Sequence, residues 1–279
     1  MNDKIDLSLI IVTFNSLPSL EKSLLSLQQS QHQHFELIVV DNNSTDNSLQ
    51  TVSNLFPNAI FIKNEENVGF AKACNQGAKN ANGDILLFYN PDLEIDSTSL
   101  QAVVDFIQST PDAGAVSGRM RFPDGTFQAT CRKFPDMTNI FLSRGSALSK
   151  IISTTNSYTL PDFENITKVD AVAGTFMAVR KNLFEKVGMF DQRFFMYMED
   201  TDFSYRINQL GYNNYFLPQA GGVHLWGKGS SGGKVIRSYY HHISVWKYFL
   251  KHFPGGFSIL FLPLVLIFNF CITILIPKK

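Results

Sequence analysis

The chain has 279 residues, 24 basic and 24 acidic, so its formal net charge is zero, and 44% of its residues are hydrophobic. That apolar content supplies a sizeable core and excludes disordered, collagen-like and disulfide-scaffold classes. The charge balance argues against nucleic acid as the main partner, because neutralising many phosphates takes a basic excess. Charged residues at 17% fall below the ~25% usual for soluble domains. With 25 phenylalanines in the chain, this points to a surface that faces something other than water. Cys74, Cys131 and Cys271 form no Cys-x-x-Cys pair and read as reduced thiols of a cytosolic compartment. Met1 to Asp6 is polar and acidic and opens no signal peptide, so a cytoplasmic catalytic portion is expected.

In chain order, Leu7 to Thr13 reads as a buried strand. Pro18 sits near a helix start, and Leu20, Leu24 and Leu27 recur at helical spacing. Phe35 to Val40 predicts a second strand, closed by the polar run Asp41 to Asp46, and a helix follows through Leu49, Val52 and Phe56. Ala59 to Lys63 predicts a third strand, Ala71 to Ala81 a helix, and Ile85 to Tyr89 a fourth strand. This alternation predicts an α/β fold with a doubly wound, mostly parallel sheet. Ligands of such sheets bind beyond the carboxyl ends of the strands. Thr13-Phe14-Asn15, Asp41-Asn42-Asn43 and Asn90-Pro91-Asp92 all fall there.

Residues 120 to 168 lose periodicity and read as a loop or lid, with a helix near Asn139 to Lys150. Val169 to Arg180 predicts a strand, Phe203, Ile207 and Leu210 a helix, and Asn213 to Leu217 a short strand. Phe257 to Ile276 is a 20-residue uncharged stretch interrupted by Pro263 and followed by Lys278 and Lys279. Its length is about that of a bilayer span. Upstream, Tyr239, Tyr240, Trp246, Lys247, Tyr248 and Lys251 form an aromatic and basic cluster suited to a membrane interface. A membrane-associating helical tail is expected, with spanning, re-entrant and in-plane modes all open. A buried core helix is the alternative. The expected division is a catalytic domain over 1–235 and a tail over 236–279.

There is no Gly-x-Gly-x-x-Gly after the first strand and no Gly-x-x-x-x-Gly-Lys-Ser/Thr, so dinucleotide and P-loop chemistries lose support. Several segments carry a different signal. They are Ile10 to Asn15, Ile38 to Asp46, Asn67-Val68-Gly69-Phe70, Asn90-Pro91-Asp92, Gly174-Thr175-Phe176-Met177, Phe190-Asp191, Phe194 to Asp202 and His224. In this order the chain resembles the family-2, GT-A-fold glycosyltransferases, and within them the bacterial rhamnosyltransferase-like branch, over about residues 7 to 230.

The resemblance implies a nucleotide-sugar site at Thr13, Phe14, Asn15, Asp41, Asn43, Asn67, Gly69, Phe70, Asn90 and Asp92. Chemically, a carboxylate at Asp41 can accept from a pyrimidine N–H, although Asp and Asn also close turns. Backbone N–H groups at Gly69 and Phe70 open a helix that can meet the donor. Asn90-Pro91-Asp92 stands where the family has Asp-x-Asp, with Asn90 removing one anionic metal ligand. The resemblance places Mg2+ or Mn2+ on Asp92 and His224, where it would neutralise a departing diphosphate. Lys228, in the glycine-rich run after His224, is a further cation for the diphosphate. Glu199, Asp200 and Asp202 open a helix, where acids complement the dipole and Asp202 can pair with Arg206. Asp200 matches the family's general base, and Glu199 is expected to contact the acceptor or orient the site. One carboxylate suffices for an inverting single displacement.

The expectation is therefore an inverting transferase on the cytoplasmic face of the membrane. The donor would be a nucleoside-diphosphate sugar, dTDP-rhamnose first and UDP-hexoses behind it. The acceptor would be a saccharide precursor, lipid-linked at the bilayer. A nucleotidyltransferase would need a basic glycine-rich loop after the first strand, and Thr13 to Ser19 has none. A non-catalytic sugar-nucleotide-binding scaffold would explain Asn90 as decay, and turnover is what separates the two.

Overall fold

The computed structural model describes residues 5–17, 19–136, 139, 158–225, 233–255 and 260–275. Four parallel strands open the chain: β1 (Leu7–Thr13), β2 (Phe35–Asp41), β3 (Ile60–Lys63) and β4 (Ile85–Tyr89). Between them run α1 (Ser19–Gln28), α2 (Ser48–Leu55) and α3 (Phe70–Lys79). β1 is covered on both faces, so its apolar run does not alternate with polar residues. Leu7, Leu9 and Ile11 face one core with Leu20, Leu24, Leu27 and Val52, while Ile10 faces a second core with Ala71, Cys74 and Ala78. β4 divides the same way, Ile85, Leu87 and Tyr89 to one side and Leu86 and Phe88 to the other.

Beyond β4 come β5 (Leu93–Ile95), α4 (Ser99–Ser109), β6 (Ala113–Arg121), β7 (Phe127–Gln128), β8 (Cys131–Arg132), β9 (Thr167–Val169), β10 (Ala171–Val172) and β11 (Phe176–Arg180). Then follow α5 (Lys181–Lys186), α6 (Glu199–Gln209), β12 (Asn213–His224), α7 (Lys234–His252) and α8 (Leu262–Leu275). The main sheet has the order β3-β2-β1-β4-β11-β6-β12-β5, with β7 on β6 and β9 on β12.

Here the sheet departs from the mostly parallel expectation. β11 runs antiparallel to both β4 and β6, and β12 runs parallel to β6 but antiparallel to β5 and β9. The result is a mixed α/β sheet. No helical crossover joins β6 to β11 among the described residues, so nothing forces the parallel return that a β-α-β unit requires. The single strand expected over Val169 to Arg180 is broken, its middle forming β10, which pairs with β8 in a separate two-stranded sheet. β12 extends past Leu217 to His224 through a register shift between Leu217 and Gly221. The helix expected near Asn139 to Lys150 lies outside the described residues apart from Asn139, as do Pro18 and Lys228.

α6 sits on an aromatic cluster. Phe203 and Phe190 lie 5.1 Å apart, and each is within 4.8 to 5.2 Å of Phe184 or Phe88. α7 packs across the segment leading into α6. Val245, Tyr248 and Phe249 bury against Phe194 and Met198, and Leu262 and Leu266 of α8 close that cluster. α8 is 14 residues long, roughly 21 Å at 1.5 Å per residue against ~30 Å of hydrocarbon. No helix among the described residues is long and apolar enough to cross a membrane. The cysteines are free, Cys74 and Cys131 buried and Cys271 exposed.

Candidate active site

The carboxyl ends of β1 and β2 lie side by side, with Thr13 opposite Asp41 in the parallel register. Both Asp41 oxygens accept from the Ser44 N–H, at 3.2 and 3.1 Å, so this buried carboxylate closes the turn after β2. Asn15 and Asn43 both take left-handed backbone angles (φ 52° and 66°), which asparagine tolerates better than most residues. Asn15 then accepts from the Thr45 N–H at 2.7 Å, tying the two strand ends together. Phe14 stands half-buried beside them. The Thr13 hydroxyl is buried and has no partner.

A polar ladder carries this edge to α3. Asn64 donates to Asn42, Asn42 donates to Asn67, and Asn67 accepts from the Gly69 N–H at 3.0 Å. Gly69 has φ +85°, and a Cβ there would lie 2.6 Å from the Phe195 carbonyl oxygen. Only glycine fits this approach. The Phe70 N–H donates to that same carbonyl at 2.8 Å, so the start of α3 is pinned to the segment preceding α6.

At the end of β4, the Asn90 N–H donates to the Thr175 carbonyl. Two residues on, Asp92 is buried, with its Oδ1 3.1 Å from Nε2 of His224 at the end of β12. His224 Nδ1 lies 2.9 Å from Oε1 of Gln128, which is also buried. The donor set suits a divalent cation: one hard carboxylate and one imidazole face each other at a distance that a shared cation or proton bridges. No group of three or more His, Cys, Asp or Glu side chains forms a metal cage among the described residues. A cation here would therefore take its remaining ligands from a diphosphate and water.

Asp200 lies in the first turn of α6 and is almost fully buried. Its Oδ2 accepts from Arg132 Nη2 at 2.7 Å and from the Gly174 N–H at 3.0 Å. Its Oδ1 accepts from the Thr201 N–H at 2.6 Å and the Thr201 hydroxyl at 3.1 Å. A Cβ on Gly174 would fall 3.3 Å from the Phe70 ring and 3.6 Å from Cβ of Asp200, which places Phe70, Gly174 and Asp200 at one spot. Tyr197 and Met198, immediately before α6, both take left-handed backbone angles (φ 69° and 68°). Bulky residues rarely adopt this region, at a cost of ~1–3 kcal/mol each. α7 holds the strained segment down. Ser244 donates to the Met196 carbonyl, Lys247 donates to the Arg193 carbonyl, and the Tyr240 ring stacks on Phe195 at 4.5 Å.

Glu199 is buried with one carboxyl oxygen unpartnered. Burial, and then the neighbouring Asp200 carboxylate, push its carboxyl up to about 8, far above the ~4.3 of a free glutamate. The neutral form is thus favoured in the fold. Glu199 contributes its stability fully below the unfolded value and loses it as pH rises through the folded one. Glu199→Gln is expected to raise Tm relative to wild type, by more at about pH 8.5 than at about pH 4.5. An equal change in thermal melts at both pH values would contradict this assignment.

The residues expected from sequence fall into two groups, one running from Thr13 and Asp41 through Asn67 to Phe70, the other pairing Asp92 with His224. Asp200 stands beside Phe70. Two site residues carry no expectation from sequence, Gln128 on β7 and Arg132 on β8. Both lie in the aperiodic stretch, and no local pattern marks either.

The mixed sheet with polar residues at its strand ends is a GT-A-like α/β fold, and residues 8–188 match the family model described as glycosyl transferase family 2. The chain belongs to that family and is a glycosyltransferase. Among its relatives is the N-acetylglucosaminyl-diphospho-decaprenol L-rhamnosyltransferase of Mycobacterium tuberculosis (strain CDC 1551 / Oshkosh). It is 27% identical, with the match covering 89% of this chain and 85% of that protein. The rhamnosyltransferase WbbL of Escherichia coli (strain K12) is 26% identical over 77% of this chain and 82% of that one. In fold, the chain is similar to GalNAc-T7 crystallised with UDP, GalNAc and Mn2+. The TM-score is 0.64 at 14% identity, over 89% of this chain and 48% of that one, so this chain spans about half the length of GalNAc-T7. It is also similar to the mannosyltransferase PcManGT from Pyrobaculum calidifontis in complex with GDP-Man and Mn2+. There the TM-score is 0.60 at 20% identity, over 96% and 73% of the two chains.

Proposed function

We propose that this protein transfers a sugar, rhamnose from dTDP-rhamnose before a hexose from UDP, to a hydroxyl of a lipid-linked saccharide precursor at the cytoplasmic face of the membrane. The observation that carries the reading is the placement of the buried Asp200 carboxylate next to Phe70 and Gly174, with Asp41 and Thr13 at the neighbouring strand ends. The nucleoside would sit against Thr13, Phe14, Asn15, Asp41 and Asn43. The diphosphate would reach Asn67, Gly69, Phe70, Asn90 and Asp92. Asp200 takes the proton from the acceptor hydroxyl as the acceptor oxygen bonds to the anomeric carbon, and the bond to the diphosphate breaks with its electron pair leaving on phosphate oxygen. To accept that proton Asp200 releases one of its four donors, and the Thr201 hydroxyl, at 3.1 Å, is the longest of them. Mg2+ or Mn2+ on Asp92 and His224 would neutralise charge on the departing diphosphate.

Support for the rhamnosyl assignment comes from the two rhamnosyltransferase relatives, and support for a lipid-linked acceptor from the decaprenol-linked substrate in the name of the first. Support for membrane attachment comes from α8, whose Leu264, Ile267 and Phe268 are each more than 60% exposed, as is Leu260 just before it. An uncharged face of this kind, with Trp246 exposed on α7, suits an in-plane seat at the acyl boundary. The expected division places the transferase in 1–235 and the membrane seat in 236–279, with α7 serving both through its contacts to Phe194 and Met198.

Two measurements test the reading. Purified protein with Mn2+ is expected to release nucleoside diphosphate from one member of a donor panel, dTDP-rhamnose first. No release together with no nucleotide binding would contradict it. On vesicles containing anionic lipid, the wild-type protein is expected to co-sediment, and Leu264→Glu with Ile267→Glu to stay in the supernatant without losing donor binding. If those substitutions instead dissolve a dimer and leave co-sedimentation unchanged, the face belongs to a second copy and not to the bilayer.

A further inference from the structure

One short segment touches both halves of the site. On β7, the buried Gln128 sets Oε1 2.9 Å from His224 Nδ1, while Nε2 of the same ring faces Asp92. Four residues on, Arg132 sets Nη2 2.7 Å from Asp200 Oδ2. Between them Thr130 is fastened on two sides. Its hydroxyl donates to the Gly118 carbonyl of β6, and its carbonyl accepts the Ala173 N–H, next to Gly174.

We propose that Gln128 and Arg132 are positioning residues, Gln128 fixing the His224 ring and Arg132 fixing the Asp200 carboxylate. Through them the strap Phe127–Arg132 aligns the leaving-group and acceptor halves together. The inference rests on the function proposed above. An imidazole whose Nδ1–H is held by the Gln128 carbonyl oxygen has Nε2 as the nitrogen that faces Asp92, either donating a proton to it or, with a cation seated between them, giving that cation its lone pair. The Gln128 amide nitrogen is buried without a partner, so the amide spends its acceptor on His224 and keeps its donor unused. On the other side, Arg132 supplies the charge opposite Asp200. Of the other ionisable groups around this pair, Glu199 and Asp202 come from α6, Tyr158 from the segment after the undescribed stretch, and His241 from α7. Arg132 is the cation in direct contact with Asp200.

The test separates the two halves. Mn2+ affinity is read by electron paramagnetic resonance in the presence of dTDP or UDP, and the acid limb of kcat/KM by nucleoside diphosphate release. Gln128→Leu is expected to weaken Mn2+ binding ~10- to 100-fold, while Gln128→Glu, which keeps an acceptor for Nδ1–H, retains it. Arg132→Met is expected to leave Mn2+ affinity unchanged and move the acid limb to higher pH, because the cation beside the carboxylate is gone, with Arg132→Lys moving it less. Should Arg132→Met fail to fold, Arg132→Lys alone still reads the direction of the shift. Unchanged Mn2+ affinity in Gln128→Leu, or an unmoved acid limb in both Arg132 variants, overturns the inference while the proposed function stands. If the wild-type protein binds no Mn2+ with nucleotide, the Gln128 half falls together with the metal reading it rests on.

Discussion

Asp200→Asn is expected to lower kcat by about 10²- to 10⁴-fold while leaving nucleotide-sugar binding close to wild type. The argument is one of lone pairs. Asp200 offers four acceptor positions, and Arg132, Gly174 and the two Thr201 groups fill them. An amide with its oxygen toward Arg132 and Gly174 keeps those two bonds. Its NH2 group can donate to a rotated Thr201 hydroxyl but opposes the Thr201 N–H, so a modest loss of Tm accompanies the loss of rate. What the amide cannot do is take a proton from an acceptor hydroxyl near neutral pH. Release of nucleoside diphosphate at saturating donor and acceptor, normalised to folded protein, measures this. A variant within a few-fold of wild type would place the base elsewhere, and burial and the Asp200 charge push the neighbouring Glu199 carboxyl up to about 8.

The largest expected effect on stability belongs to Asp202. Its side chain is fully buried, and it joins α6 to α7. Arg206 donates to Oδ2 at 2.8–2.9 Å, while Lys251 and His252 approach Oδ1 at 2.6 and 2.7 Å. Burial raises the carboxyl, but the His252 hydrogen bond, the Arg206 charge and Lys251 outweigh it and hold the group below its ordinary range. Its contribution is therefore full above the unfolded value near 3.9 and is lost as pH falls through the lower folded one. Asp202→Ala leaves three cationic or polar partners buried or half-buried without their acceptor, and is expected to cost ~3–5 kcal/mol. Thermal melts near pH 7 are expected to show a fall in Tm of about 10 °C. A change of under about 2 °C would mean that α7 is not bolted to α6 as described. The loss would also reach the strained Tyr197–Met198 segment, because α7 is what presses on it.

The parts of the fold legible in the sequence are those with a single strong signal. β1 and β4 have the bounds their apolar runs predict, because both are covered on two faces and all their residues but Ser8 and Thr13 are apolar. α3 and α6 follow from the spacing of Ala71, Cys74 and Ala78 and of Phe203 and Ile207. β6 has no such signal. Gly114 sits in it because the Ile207 side chain of α6 fills the place of a Cβ, and Gly118 because the neighbouring strand comes too close, a Cβ there falling 2.5 Å from the Ala220 carbonyl. A strand made of small residues reads as a loop by composition. α4 is a different case, since Leu100, Val103, Val104 and Ile107 have helical spacing and that periodicity was available to be read. Strand direction was not legible, because hydrophobic alternation carries no sense of polarity, and β11 runs against its neighbours.

At the site, ordered motifs carried most of the information. Asp41, Gly69, Asp92, Asp200 and His224 each stand in a motif that the resemblance marks, and the structure places Phe70 beside Asp200 and Asp92 beside His224. Gln128 and Arg132 could not be named, because their partners are 96 and 68 residues away. Both lie where the chain has no regular period. A side chain that acts only on another side chain leaves no local pattern. The apolar tail is another case: its length leaves spanning, re-entrant and in-plane modes open, and among the described residues it forms a 14-residue helix with Pro263 in its first turn, packed through Leu262 and Leu266.

The most direct test is the anomeric configuration of the transferred sugar, read by NMR on the product of wild-type transfer to a lipid-linked saccharide acceptor. A carboxylate that acts only as a base predicts inversion relative to the donor. Retention would require a covalent or front-side route and would contradict the role given to Asp200.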